Sequence, residues 1–167
     1  MSLPGQNIHA DRYIVIPRTL SFLLHHDRVL LLRVAANKGA WAGKFNGIGG
    51  HIERGESPHG SASREILEET GLRTRQLQLC GTILVDAGQS PGIALFVFIG
   101  EAESTETIDS SEGELEWIPL DQMESFPLVE DLTLLFPEAM DSYRSGKPFT
   151  ALTTFDDSGM PEIAFHR

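Results

Sequence analysis

The chain has 167 residues, of which 41% are hydrophobic, enough for one domain with a real core and too apolar for a disordered chain. Its formal net charge of −11 excludes a sequence-independent grip on DNA or RNA, which needs a basic face; small nucleotide ligands stay open, because a bound cation and a few local positive groups can override the global charge. No apolar run approaches 18 residues, so no membrane span is expected, and the single cysteine, Cys80, cannot close an internal disulfide.

Residues 1–11 read as a flexible leader without a secretory pattern, which points to the cytoplasm. From Tyr13 the chain turns apolar, and YIVI, Pro17 and TLSFLL suggest one or two strands interrupted near the proline, which cannot donate to a central ladder. His25, His26 and Asp27 form a turn before a second strand, RVLLLRVA, over 28–35. Residues 36–50, ANKGAWAGKFNGIGG, are a glycine-rich loop that carries Lys38 and Lys44, the nearest cations to the segment that follows.

That segment is a helix over 58–70. Ser57 can cap it, Pro58 suits its first position and Gly71 can end it. Beyond it lie a strand within 73–87 and another over 93–102, joined by a hairpin through Gly88 and Ser90-Pro91-Gly92. Cys80 falls in the first of these apolar runs and reads as a small core residue. An acidic loop over 103–113 precedes a short strand, ELEWIPL, which ends in a turn at Asp121. The run PLVEDLTLLFPEAMDSYR is helical in pattern, with Pro137 breaking it into two segments. The tail over 146–167 reads as two strands around Asp156-Asp157-Ser158-Gly159. Strands mixed with helices and no linker imply one α/β domain, a mixed sheet with helices on both faces.

The helix carries an unfavourable charge pattern. Glu65, Glu68 and Glu69 stand at i, i+3 and i+4, so three carboxylates crowd one face. Glu68 and Glu69 also occupy the last turn, the negative end of the helix dipole. Stability alone would not choose this arrangement. A divalent cation would reverse both penalties, and oxygen-only ligands favour a hard ion, magnesium before manganese.

The stretch GHIERGESPHGSASREILEETGL, residues 50–72, resembles the Nudix box, Gly-x5-Glu-x7-Arg-Glu-U-x-Glu-Glu-x-Gly-U with U aliphatic, at every specified position. Chance agreement at a given start is roughly one in a billion when common residues each make up near 7% of usage. The resemblance implies an α/β/α sandwich over about residues 12–145, with 146–167 as a hairpin packed on the same domain. It implies hydrolysis of a nucleoside diphosphate linked to another group. It also implies that Glu65, Glu68, Glu69 and the carbonyl of Gly49 bind metal, and that Arg64 and Glu56 pair to brace the loop.

Further likenesses narrow the chemistry. The segment Glu112-Gly113-Glu114-Leu115-Glu116-Trp117 looks like the one in which the MutT-like branch carries an extra acidic residue upstream of a tryptophan. Glu112 is the first candidate for a further metal ligand or for the base that takes a proton from water, with Glu114 and Glu116 as competitors. Asn46, Glu130-Asp131 and Thr19 match positions that contact the base in enzymes that hydrolyse oxidised purine nucleotides, although each also suits a turn, a helix start or a strand. Lys44 is a candidate phosphate contact. Trp41 is either a core anchor, the preferred reading, or a cover for the base. His51 departs from that group, which commonly has lysine there. These residues imply a magnesium-dependent hydrolase that cleaves a small nucleotide, such as 8-oxo-dGTP, to a monophosphate and pyrophosphate. ADP-ribose hydrolysis and a non-catalytic nucleotide sensor are the alternatives; a sensor would be expected to lose box glutamates, and none is lost. The sequence leaves monomer and homodimer both open.

Overall fold

The strand β1, Val15–His25, organises the sheet. It pairs in parallel with β5, Gly92–Ala102, from Val15 to Leu24, and antiparallel with β2, Arg28–Val34, only over the three residues next to their turn. Beyond Leu23 the 48–52 loop takes the place of β2. Ser21 and Ile48 exchange hydrogen bonds, Thr19 N donates to Gly50 O and Ile52 N donates to Pro17 O. The glycine-rich loop is thereby drawn into the middle of the sheet.

This arrangement explains why the expected interruption at Pro17 does not occur. Residues 17, 19 and 21 direct their backbone groups towards the loop and not towards β5. The missing N–H of Pro17 therefore breaks no bond in the β1–β5 ladder, and β1 runs straight through.

The computed structural model describes residues 12–166; the expected leader over 1–11 lies outside them. The other strands are β3 (Phe45–Asn46), β4 (Thr74–Val85), β6 (Gly113–Pro119), β7 (Phe149–Phe155) and β8 (Pro161–His166). The strand order is β3-β2-β1-β5-β4-β7-β8, with β6 paired to β2. The β1–β5 and β4–β7 pairs are parallel and the rest antiparallel, so the sheet is mixed. The C-terminal hairpin adds its two strands to this same sheet through β4.

Alternation along β1 feeds two cores. Leu20, Phe22 and Leu24 meet α2, Leu132–Ser145, through Leu132, Leu135, Phe136, Ala139 and Met140. Leu23 faces the opposite way, into a smaller cluster with Leu30, Ile48 and Ile66 of α1, Pro58–Thr70. One helix thus covers each face. Cys80 lies in the larger core, where burial pushes its thiol up to about 11. No helix is long and apolar enough to cross a membrane among the described residues.

The late helix differs from expectation at both ends of its pattern. Residues 127–130 are not helical; Phe45 N donates to Pro127 O and Val129 N donates to Phe45 O, which ties the segment to β3. Pro137 does not divide α2, which is one helix. The proline forfeits one intrahelical bond, but apolar residues on either side of it are buried on the sheet and hold the axis across it.

Candidate active site

The helix α1 is built as its caps dictate. Ser57 Oγ accepts from Gly60 N at 3.0 Å, Pro58 opens the first turn and Gly71 closes the last at φ 74°. Ser61, Ala62, Ile66 and Thr70 form the buried stripe, and Glu65, Glu68 and Glu69 run along its edge, with Glu68 exposed and Glu65 and Glu69 half-buried. Gly49 and Gly50 sit where no larger residue fits. A Cβ at 49 would run into the Thr19 carbonyl, and one at 50 into the Glu65 carboxylate.

Arg64 links this loop to the helix. Its Nε donates to Glu56 Oε1 at 2.6 Å and its Nη2 to Glu56 Oε2 at 2.9 Å. Nη2 also reaches the His51 carbonyl at 3.2 Å. These bonds, with a further one from Glu53 N, hold the Glu56 carboxyl down at about 2. Nη1 lies against Glu65 and Glu68, at 2.9 and 3.1 Å.

A cavity of about 650 Å³ opens beside these groups, lined by Glu53, Glu65, Glu68, Glu69, Asp109 and Glu112. Glu112 arrives from the start of β6, fixed by Ala35 N donating to its carbonyl and by a 2.9 Å ion pair with Lys38. The acidic loop that delivers it is docked on α1, where Ile108 N donates to Thr70 O. Its competitors stay outside: Glu114 is 85% exposed beside Arg33, and Glu116 is exposed. Glu69 is half-buried, and its Oε2 has no partner among the described residues. Burial, then the charges of Glu65, Glu112 and Glu68, push its carboxyl up to about 7.

No three acidic, histidine or cysteine side chains among the described residues already surround one ion-sized centre, and Arg64 lies on two of the carboxylates. The donor chemistry nevertheless fits a hard divalent ion. Six carboxylates line the cavity, one of them with an oxygen buried without a partner among the described residues, and the crowding that raises Glu69 is what a cation would relieve.

A second cavity, of about 480 Å³, meets the first at Arg18 and Gly49. Thr19, Asn46, Glu130 and Asp131 all line it. Asn46 Oδ1 accepts from Gly47 N at 2.8 Å, which leaves its amide N–H groups for a ligand. Lys44 lines neither cavity; it forms an ion pair with Glu130 and holds that carboxyl below its ordinary range. Asp131 moves the other way, raised by burial and by the neighbouring charge of Glu130. Burial and charge thus push two adjacent carboxyls in opposite directions.

Trp41 is not a core anchor, contrary to the reading its sequence favours: it is 49% exposed and stands on the cavity wall. Phe155 and Met160 from the C-terminal hairpin face this same space, as Asp109 and Arg18 face the acidic one. None of these four carries a local signal, because strand order and not sequence spacing brings them in.

The Nudix domain model matches residues 17–138. The chain belongs to the Nudix family. This Nudix protein is 33% identical over 120 residues to the oxidized purine nucleoside triphosphate hydrolase of Mus musculus, which covers 71% of this chain and 76% of that one. It is 37% identical over 82 residues to the ADP-sugar pyrophosphatase of Mus musculus, 48% of this chain and 36% of that one. The mutator MutT protein of Bacillus halodurans shares the fold, with a TM-score of 0.72 over 90% of this chain and 97% of its own, at 23% identity. As a Nudix hydrolase the protein is an enzyme acting on the phosphoanhydride bonds of small nucleotides, and enzymes of this family generally use a divalent ion, usually magnesium.

Proposed function

We propose that this Nudix hydrolase cleaves a purine nucleoside triphosphate to the monophosphate and pyrophosphate, with an oxidised purine such as 8-oxo-dGTP as the favoured substrate. The observation that carries the reading is the junction at Gly49, where a cavity with mixed donors and acceptors opens into one ringed by carboxylates. The relative in Mus musculus named for oxidised purine triphosphates supports the same choice.

In this reading the base lies with Asn46, Thr19, Glu130 and Asp131, and the phosphates lie towards α1. An amide donor at Asn46, with the Asp131 carboxyl raised towards its protonated form and the Glu130 carboxyl lowered towards its ionised form, would together answer both the acceptors and the donors of a purine edge. Lys44 keeps Glu130 ionised and so serves the base and not the phosphates. Glu65, Glu68, Glu69, Glu112 and the Gly49 carbonyl are the groups that would hold magnesium, or manganese in its place. Such an ion neutralises phosphate oxygens and lowers the pKa of water. Glu112, oriented by Lys38, accepts the proton as water adds to phosphorus and the bond to the pyrophosphate oxygen breaks. Arg64 and Glu56 keep the loop and helix in register and do not touch the reacting atoms.

The test is a product-release screen over the common triphosphates, 8-oxo-dGTP and ADP-ribose, with magnesium and with chelator. The expected result is metal-dependent pyrophosphate release, fastest with the oxidised purine at low concentration. Faster turnover of ADP-ribose, or no preference among bases, would overturn the substrate.

A further inference from the structure

Among the described residues, Arg18 is the one arginine or lysine that lines both cavities. It sits on β1 directly across from His51 and is half-buried. The other cations around the cleft are committed: Lys38 to Glu112, Lys44 to Glu130, and Arg64 to Glu56, Glu65 and Glu68. Among the described residues no carboxylate or carbonyl holds the Arg18 guanidinium, although acidic side chains line the space on both sides of it. A half-buried arginine whose guanidinium has no partner among the described residues, in so acidic a cleft, is poised for an anion that arrives with the substrate.

We infer that Arg18 is a substrate-binding residue that grips the phosphoryl group next to the nucleoside. The inference rests on the reading that the base occupies the smaller cavity and the phosphates the carboxylate-lined one. The junction between them is then where the first phosphoryl group lies. A guanidinium can fork onto two of its oxygens, which fixes the phosphorus in place as well as offsetting charge. That contact gives a polyanion entry to a cleft whose own charge opposes it, before any chemistry occurs. It also predicts that the enzyme holds its monophosphate product by the same residue.

The test compares the wild-type protein with Arg18→Gln and Arg18→Lys, in magnesium, by calorimetry. The probes are guanosine and 8-oxo-guanosine, their 5′-monophosphates, and inorganic pyrophosphate. Arg18→Gln should weaken both monophosphates by about 10- to 100-fold, the worth of a charge-assisted hydrogen bond. Both nucleosides and pyrophosphate should change by less than about twofold, and Arg18→Lys should recover part of the loss, since charge remains but the fork does not. Loss on pyrophosphate instead, equal loss on the nucleosides, or no loss on the monophosphates would each overturn the assignment. If circular dichroism shows Arg18→Gln unfolded, Arg18→Lys decides: a loss of about threefold or more confined to the monophosphates supports the contact, and unchanged binding removes it. An enzyme that prefers another base fails the substrate proposal but leaves the difference between nucleoside and monophosphate readable.

Discussion

Arg64 grips Glu56 through both oxygens of the carboxylate, eight residues away along the chain, and the same guanidinium lies between Glu65 and Glu68. One side chain therefore fixes the loop and keeps two carboxylates of the acidic face apart from each other's full charge. Arg64→Ala should lower the melting temperature more than Arg75→Ala, which removes an exposed pair with Glu103. The depressed Glu56 carboxyl gives the sign of the pH effect. Its contribution is present above the ordinary carboxyl range and lost as pH falls through about 2. The gap between Arg64→Ala and wild type should therefore narrow as pH drops from 5 towards 2. Thermal melts across that range check it, and a constant gap would show that Arg64 acts through packing alone.

Glu69 carries the opposite sign. Its folded value of about 7 lies above the ordinary range, so its contribution is fully present below about 4.5 and lost as pH rises through 7. In chelator, Glu69→Gln should melt at a higher temperature than wild type at pH 8 and at about the same temperature at pH 4.5. With saturating magnesium the variant should lose turnover by roughly 10²-fold or more, the scale of lost metal-assisted charge stabilisation. Near-normal turnover would sink the metal assignment; coincident melts at pH 8 would sink the repulsion argument alone.

Glu112 stands apart from its two acidic neighbours because β6 turns Glu114 and Glu116 outwards. Glu112→Gln should lower kcat by about 10²- to 10⁴-fold, the usual worth of a positioned general base, with little change in KM. Glu114→Gln and Glu116→Gln should behave like wild type. Steady-state kinetics on the three variants decides between them, and a kcat left intact in Glu112→Gln would return the role to another group.

What was legible in the sequence was local. The bounds of α1 follow from Ser57, Pro58 and Gly71, all within a few residues of the helix they shape. The pairing of Arg64 with Glu56, and the arrival of Asn46 beside Glu130 and Asp131, came from family likeness and not from spacing. What stayed hidden depended on tertiary partners. The continuity of β1 through Pro17 needed the 48–52 loop to occupy the side on which no N–H was available. The survival of α2 across Pro137 needed a sheet to pack against. Arg18 gave no signal, because its place between two cavities exists only once β1 and that loop are side by side.

The base pocket supports one last prediction, about how a purine is told from a pyrimidine. Asn46 spends its carbonyl on Gly47 N–H, so its amide donor is what remains for the ligand. Burial and Glu130 raise the Asp131 carboxyl, while Lys44 lowers that of Glu130, so the two carboxyls are pushed apart in their readiness to hold a proton. Asn46→Ala should raise KM for the preferred purine triphosphate more than it lowers kcat, because base contacts are shared by ground and transition states. It should also narrow the preference for that purine over a pyrimidine triphosphate. Asp131→Asn, which keeps a donor in place, should retain more of the preference than Asp131→Ala. A carboxyl donates only while it is protonated, so a donor role for Asp131 predicts a purine KM that climbs with pH in wild type. In Asp131→Asn that climb should be absent, since an amide does not titrate. Kinetics on a purine and a pyrimidine triphosphate across pH read all of these at once. Equal losses on both substrates in Asn46→Ala, together with identical pH profiles for wild type and Asp131→Asn, would reduce Asn46 to a turn residue and Asp131 to a helix cap, and the oxidised-purine reading would lose its physical support.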